Sequence, residues 1–121
     1  MQNPQERNLK EHSNMDDLYR DIYLSMANIF GESMEQVVLY GSYARGDYDD
    51  ESDVDIAIIV KGTDAELHRY HHAMVKEAGR FMREYDKLVS FHEIPLDRYE
   101  RFKEDYPYYR NIEMEGIRLY A

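Results

Sequence analysis

The chain is 121 residues long, about the size of one ordinary domain. It carries 25 acidic residues against 15 lysines and arginines, a formal net charge of −10. Such an acidic protein repels phosphate backbones and anionic lipids, which excludes general nucleic-acid polymer binding and membrane-surface attachment. The absence of cysteine excludes disulfides, thiolate metal sites and a cysteine nucleophile, and favours a reducing compartment such as the cytoplasm.

The chain begins with a polar stretch and continues with an apolar helical pattern. We expect residues 1–14 to be a partly disordered segment and residues 15–121 to form a single domain. Apolar side chains recur at helical spacing from Leu18 to Ile29, which predicts a helix that stops at Gly31.

Two short apolar stretches after this helix predict strands over residues 37–40 and 53–60, with a polar, acidic loop between them. The order of elements indicates an α/β (α+β) fold, a small mixed β-sheet with helices packed on one face. The remaining predicted elements are a long helix over about 64–84, a strand over 85–94, a short helical turn over 97–103 and a last element that starts at Pro107.

A glycine and a serine directly follow the first predicted strand. If a helical turn begins at Gly41-Ser42, its backbone N–H groups point outward and can bind a phosphate. Glycine also lets a ligand approach the backbone closely. Arg45, one turn later, can reach the same anion with a charge-assisted hydrogen bond. Taken alone, Gly41-Ser42 is equally well interpreted as a bare turn.

Two aspartates, Asp53 and Asp55, open the second predicted strand. Because side chains alternate along a strand, both carboxylates point to one face. Paired carboxylates repel each other unless a cation lies between them, and Mg²⁺ is typically bound by one or two carboxylates together with substrate phosphates. An isolated Asp-x-Asp is more simply a solvated strand start, but its position near Gly41-Ser42 favours a metal site.

Gly41-Ser42, ten further residues and Asp53-Val54-Asp55 together resemble the signature of the DNA polymerase β-type nucleotidyltransferase superfamily. The fuller pattern is similar to its small branch, the minimal nucleotidyltransferases. The resemblance covers about residues 15–120. The segments that carry the closer likeness are residues 41–46, 52–55, 107–112 and 115–117.

The resemblance implies the polymerase-β-type nucleotidyltransferase fold and the transfer of AMP from ATP to a hydroxyl. It implies that Gly41 and Ser42 hold the β- and γ-phosphates, and that Asp53 and Asp55 bind two Mg²⁺ ions. Members of the branch commonly pair with HEPN-domain proteins, many of them toxin ribonucleases. There they act as antitoxins that adenylylate a tyrosine of the partner.

The resemblance also implies a third carboxylate on a later strand, as general base and metal ligand. Asp86 is the candidate, because we expect it early in the strand over residues 85–94. Ser90 lies on the same predicted face and is the alternative occupant. With Ser90 there, no third acid remains and activity comes into doubt.

The histidines of the chain are weaker candidates. His68 and His72 are four residues apart, a spacing that can place two imidazoles on one metal ion. A solvated helix face is the favoured interpretation. His92 shares the predicted face of Ser90, where a hydrogen-bonded strand-end histidine is favoured over a ligand contact.

Two further functions stay open. One is nucleotidyl transfer to a small molecule such as an aminoglycoside, although such enzymes usually carry an added helical domain. The other is an antitoxin that acts by binding alone, with a vestigial nucleotide site. The sequence also leaves self-association open. Candidates for a partner interface are the C-terminal tyrosines Tyr106, Tyr108 and Tyr109.

Overall fold

The computed structural model describes the backbone of residues 4–120 and the side chains of residues 15–120. These residues form six α-helices and four strands. The helices are α1 (Pro4–Phe30), α2 (Ser42–Arg45), α3 (Asp64–His68), α4 (His71–Tyr85), α5 (Leu96–Phe102) and α6 (Pro107–Glu115). The strands are β1 (Met34–Tyr40), β2 (Val54–Val60), β3 (Val89–Pro95) and β4 (Ile117–Arg118), and a 3₁₀ turn at Gly31–Ser33 joins α1 to β1.

The four strands form one mixed sheet in the order β3-β2-β1-β4. β1 pairs antiparallel with both β2 and β4, whereas β2 and β3 are parallel. The parallel pair requires a crossover connection, which α3 and α4 provide. The mixed sheet predicted from the sequence is therefore confirmed.

One face of the sheet carries the larger apolar core. Alternate β2 residues such as Val54 and Ile56 are fully buried there. They pack with Leu18 and Ile22 of α1 and with Phe81 of α4. The apolar side chains that alternate along β2 and those that recur at helical spacing along α1 pack in one layer, because each element presents its apolar side to the other.

The second face is covered in part by the two short helices. Ala57 and Ile59 of β2 pack with Tyr99 of α5 and Ile112 of α6. The prediction of helices on one face holds for α1 and α4 but is wrong for α5 and α6. Helices of this length show too few periodic apolar positions for the sequence pattern to assign their face.

Element boundaries also differ from the predictions between β2 and β3. The long helix predicted over 64–84 is interrupted, since α3 ends at His68 and α4 begins at His71. Thr63 caps α3 in a reciprocal pair with Glu66. The predicted segment 1–14 lies outside the residues whose side chains are described, so its separation from the domain stays a prediction.

Within residues 4–120, no helix has both the length and the apolar content that a bilayer crossing demands.

Candidate functional site

The glycine at the end of β1 starts the helical turn predicted from the sequence. Gly41 has φ 75° and ψ −154°, a backbone conformation that residues with a side chain rarely adopt. Its carbonyl oxygen accepts hydrogen bonds from the N–H groups of Ala44 and Arg45, each at 3.1 Å. Ser42 is therefore the first residue of α2, and the strand–glycine–helical turn arrangement is confirmed.

Gly41 also lies directly against the carboxylate of Asp55. A Cβ atom at position 41 would stand 2.5 Å from Oδ2 of Asp55, well inside van der Waals contact. Only glycine therefore lets the end of β1 approach this carboxylate. This contact brings the glycine turn to the second aspartate of the Asp-x-Asp motif, although Gly41 and Asp55 are fourteen positions apart in the chain.

Asp55 stands at the centre of a row that crosses three strands. It lies opposite Tyr40 of β1 and opposite Ser90 of β3. Residues paired in this way share a face of the sheet. Val54, between the two aspartates, is fully buried on the other face, and Asp53 precedes β2 by one residue. The predicted alternation of acid and core side chains is therefore present at Asp55.

The environment of Asp55 disfavours its charged form. Burial raises the pKa of Asp55, and the nearby charge of Asp53 raises this pKa further. His92 and Arg45 act in the opposite direction on the same pKa. Since the pKa of Asp55 is nonetheless raised, the effects of these two residues do not compensate the burial of this carboxylate.

The structure places Asp86 outside β3. The apolar face of α4 continues through Phe81 to Tyr85, so the helix runs on to that point. Asp86 then ends the helix in a left-handed conformation, with φ 56° and ψ 41°, and donates its N–H to the Met82 carbonyl. The expectation that Asp86 lies early in a strand is wrong, because β3 begins only at Val89.

The predicted three-acid set is not assembled. No group of three or more His, Asp or Glu side chains among the described residues is close enough to hold a metal ion together. In β3 the residue opposite Asp55 is Ser90, the alternative weighed above. Asp55 is thus brought to the glycine turn with the charge of Asp53 near it, and Asp86 is not grouped with them.

A cleft of about 200 Å³ opens beside the glycine turn. The hydroxyls of Tyr40 and Tyr108 are 2.7 Å apart within it. Arg45 spans the cleft towards α6, with its guanidinium 3.5 Å from the Glu115 carboxylate, and also bonds Asp47 at 3.2 Å. The residues that line the cleft are Tyr40, Gly41, Arg45, Tyr108, Asn111 and Glu115.

Sequence reasoning missed the part that α6 plays in this cleft. The spacing of Tyr108, Asn111 and Glu115 after the helix-starting Pro107 was a usable signal, because residues three and four apart share a helix face. Of the three tyrosines named for a partner interface, Tyr109 is only 7% exposed and packs in the second core. That candidate is therefore wrong for Tyr109, while Tyr106 and Tyr108 are exposed.

The histidine pair considered for a metal does not share a helix. His68 is the last residue of α3, and His72 is the second residue of α4. The helical spacing of four residues, on which the metal interpretation depended, is therefore absent. His92 lies on β3 with its ring centroid 6.3 Å from that of Tyr40, beside the row that contains Asp55.

The acidic loop between α2 and β2 is held by contacts of its own. The rings of Tyr43 and Tyr48 are stacked with centroids 4.1 Å apart. The Asp49 carboxylate accepts hydrogen bonds from the Glu51 N–H at 2.9 Å and the Ser52 hydroxyl at 3.2 Å. These contacts fix the path of the chain immediately before Asp53.

Fold and site together define a class of α/β domain in which a glycine turn at one strand end faces a carboxylate on the next strand. The chain matches the family of nucleotidyltransferase domains over residues 25–120. It belongs to this family and is a nucleotidyltransferase. The likeness to nucleotidyltransferases that the sequence motifs suggested is confirmed.

Two named relatives agree with this assignment, and a solved structure shares the fold. A protein of Methanocaldococcus jannaschii, provisionally named a protein adenylyltransferase, is 36% identical over 74 residues, which cover 61% of this chain and 73% of that protein. A second protein of that organism with the same provisional name is 58% identical over 26 residues, covering 22% of this chain and 26% of that protein. A crystal structure described as a toxin–antitoxin with AMP-PNP has a TM-score of 0.52 and 17% identity, covers 82% of this chain and 70% of that chain, and shows the same fold.

Proposed function

We propose that this nucleotidyltransferase transfers AMP from ATP to a tyrosine hydroxyl of a HEPN-type partner protein, with Mg²⁺ as cofactor, and so acts as an antitoxin. The observation that carries the proposal is the contact between Gly41 and the Asp55 carboxylate. The provisional name of the relatives, protein adenylyltransferase, supports AMP transfer to a protein. The fold shared with a toxin–antitoxin that binds AMP-PNP supports the antitoxin role.

The residues at the site fit a magnesium ion. Asp53 and Asp55 supply hard carboxylate oxygens, which Mg²⁺ prefers. The Asp55 carboxylate occupies the space that a side chain at position 41 would need. Glycine at this position therefore keeps side-chain atoms of residue 41 away from the carboxylate oxygen. When bound, the metal supplies positive charge to the transferring phosphate and to the attacking and leaving oxygens. Asp53 and Asp55 hold it, while Gly41, Ser42 and Arg45 bind the phosphates.

The chemical step is a displacement at the α-phosphorus of ATP. The tyrosine oxygen forms a bond to this phosphorus, the bond from the α-phosphorus to the bridging oxygen breaks, and pyrophosphate leaves. The hydroxyl proton passes to solvent or to a carboxylate of the site. Positioning of the reacting groups and stabilisation of charge account for most of the catalysis in such transfers.

A second candidate function is neutralisation of the partner by binding alone. The observation that favours it is Ser90, which stands opposite Asp55 where the resemblance implies an acid. Glu93, the acidic residue within β3, pairs with Ile58 and therefore lies on the face of the larger core. The two candidates make opposite predictions for the site aspartates.

Incubation of the purified chain with α-³²P-labelled ATP, Mg²⁺ and a candidate HEPN protein tests the proposal. Label on a tyrosine of the partner that depends on Mg²⁺ supports it. The key variant is Asp55→Asn. The matched control is Asp50→Asn, which removes the same charge from an exposed position in the acidic loop.

The outcomes separate the alternatives. Loss of label with Asp55→Asn but not with Asp50→Asn supports catalysis at this site. Label on a small hydroxyl compound instead of the partner overturns the protein acceptor. Tight partner binding without label, unchanged in the Asp55→Asn variant, supports the binding-only antitoxin.

A further inference from the structure

The cleft beside Gly41 continues the proposed phosphate site along one side of α6. Gly41 and Arg45, which we assign to the phosphates, form one wall of this cleft. Tyr108, Asn111 and Glu115 of α6 form the opposite wall. A nucleotide whose phosphates lie on α2 can therefore extend its sugar and base against α6, because residues of both helices line this one cleft.

The three α6 residues form a single helix face. Their spacing of three and four residues places them one above the other along α6. Ile112, between them in sequence, points into the second core and anchors this face against the sheet. The Tyr108 hydroxyl is tied to Tyr40 at 2.7 Å, which steadies the tyrosine ring at the mouth of the cleft.

We propose that this face of α6 is the nucleoside-binding wall of the enzyme and that Asn111 selects adenine. This inference rests on the proposed function, since it assigns the base of the same ATP. A carboxamide both donates and accepts, which matches the adjacent N6 amine and N7 atom of adenine. Tyr108 supplies an aromatic face on which the base stacks.

The charges of the wall argue against guanine. Guanine presents two acceptors, O6 and N7, on the edge where adenine presents a donor and an acceptor. The Glu115 carboxylate on the same helix face only accepts hydrogen bonds, so it favours an amino group over a carbonyl oxygen. Arg45, the cation that lines this cleft, contacts one oxygen of Glu115 at 3.5 Å and is the residue that we assign to the phosphates and not to the base.

The test measures binding of unreactive nucleotides and therefore does not depend on transfer. Calorimetric titration with Mg²⁺ and the α,β-methylene analogues of ATP and GTP gives both affinities for each variant. We expect the wild-type chain to prefer the ATP analogue. Asn111→Ala should weaken the ATP analogue by about tenfold or more and leave the GTP analogue almost unchanged, because a bidentate contact discriminates between bases by this order.

Two comparisons control for general damage to the helix. Asn28→Ala makes the same change at an exposed position of α1 and should leave both affinities unchanged. Tyr108→Ala should weaken the two analogues by a similar factor, since stacking depends little on base identity. Tyr108→Phe keeps the ring and should retain most of the binding.

Two results would overturn the inference. An ATP-to-GTP affinity ratio that is the same in wild type and Asn111→Ala means that Asn111 does not select the base, although the nucleotide site itself stands. Failure of the wild type to bind either analogue with Mg²⁺ overturns the proposed function together with this inference.

Discussion

Two groups of carboxylates in this domain have opposite electrostatic environments. The first joins α1 to α4, where Arg80 contacts Asp21 at 2.7 Å and both Glu77 and Glu84 at 2.9 Å. Hydrogen bonds from Arg80 are the main reason that the pKa values of Asp21 and Glu77 are lowered. Ser25 and Tyr85 donate further hydrogen bonds to this group. These acids are held by a cation that the chain provides.

The second group is the pair Asp53 and Asp55 at the glycine turn. Neither aspartate forms a salt bridge with any residue of the described part of the chain. Burial raises the pKa of Asp55, whereas the pKa values of Asp21 and Glu77 in the first group are lowered. The acids around Arg80 are therefore paired with a cation of the chain, whereas burial disfavours the charge of Asp55, which we propose as a metal ligand. Neutralising one member of each group should therefore have opposite effects.

The largest expected effect is on transfer by the Asp55→Asn variant. Transfer should fall by about 10³-fold or more, because a ligand to the proposed metal is lost. The free energy of unfolding should stay the same or increase slightly. At neutral pH the charged form of Asp55 is disfavoured by burial, and the variant removes that charge. Initial rates and urea unfolding measure the two quantities.

Asp21→Asn is the counterpart in the Arg80 group. It should lower the free energy of unfolding by about 1 kcal/mol, since a partly buried ion pair is weakened. Transfer by the folded fraction should not change. Equal losses of activity in the two variants would contradict the division into structural and functional acids.

The contact between Gly41 and Asp55 gives the next largest effect. Gly41→Ala places a methyl group 2.5 Å from the Asp55 oxygen and should displace that carboxylate. The apparent Mg²⁺ affinity in the transfer assay should fall by about 10- to 100-fold, the range seen when groups that orient a metal ligand are disturbed. A titration of rate against Mg²⁺ concentration measures this shift.

Gly31→Ala separates backbone strain from the displaced carboxylate. Gly31 has a positive φ of 58°, but a Cβ there meets no atom within 4 Å. The variant should lose about 1 kcal/mol of stability from backbone strain, with its Mg²⁺ dependence intact. If both glycine variants shift the Mg²⁺ dependence alike, the proposed role of the Gly41 contact is wrong.

A smaller effect is expected from Arg80→Ala, which removes the cation of the structural group. The free energy of unfolding should fall by about 2 kcal/mol at neutral pH, between the values for exposed and buried ion pairs. Because the folded-state pKa values of Asp21 and Glu77 lie below their ordinary 3.8 and 4.5, this contribution is complete above those ordinary values. It is lost as the pH falls through the lowered values.

The pH dependence gives the contradicting result for this prediction. The stability difference between wild type and Arg80→Ala should shrink below about pH 4, when the carboxylates become protonated in both states. A difference that is constant from pH 7 to pH 3 would mean that packing of the Arg80 side chain, and not its charge, provides the stability.

The parts of the fold that the sequence predicted are those with a local signal. The strand alternation around Asp55 and the turn at Gly41 are short-range patterns, and both were read correctly from the sequence. The boundary at Asp86 was not predicted correctly. An acidic residue between a helix and a strand is compatible with both the helical spacing before it and the strand alternation after it. Only the packing of Phe81 and Tyr85 in the folded chain extends the helix to that point.

Long-range contacts account for what the sequence did not predict in the site. The Tyr40–Tyr108 hydrogen bond joins residues 68 positions apart. The placement of α6 beside the glycine turn follows from burial of Ile112 in the second core, not from any pattern near Gly41. The sequence also does not show the full reason for a glycine at position 41. Close approach of a ligand was the expected reason, but the Asp55 carboxylate of the protein itself also lies against this position.

The smallest expected effect concerns how the acidic loop presents Asp53. Ring stacking between Tyr43 and Tyr48 ties the middle of this loop to α2, next to the ion pair between Arg45 and Asp47. Tyr48→Ala should raise the KM for ATP by about fivefold, the equivalent of one aromatic pair, with a smaller change in kcat. Tyr48→Phe should behave as wild type, since the ring is kept. Equal impairment of both variants would show that the Tyr48 hydroxyl, and not the ring stack, positions the loop. The position of Asp53 would then depend on a polar contact, as the positions of the carboxylates around Arg80 do.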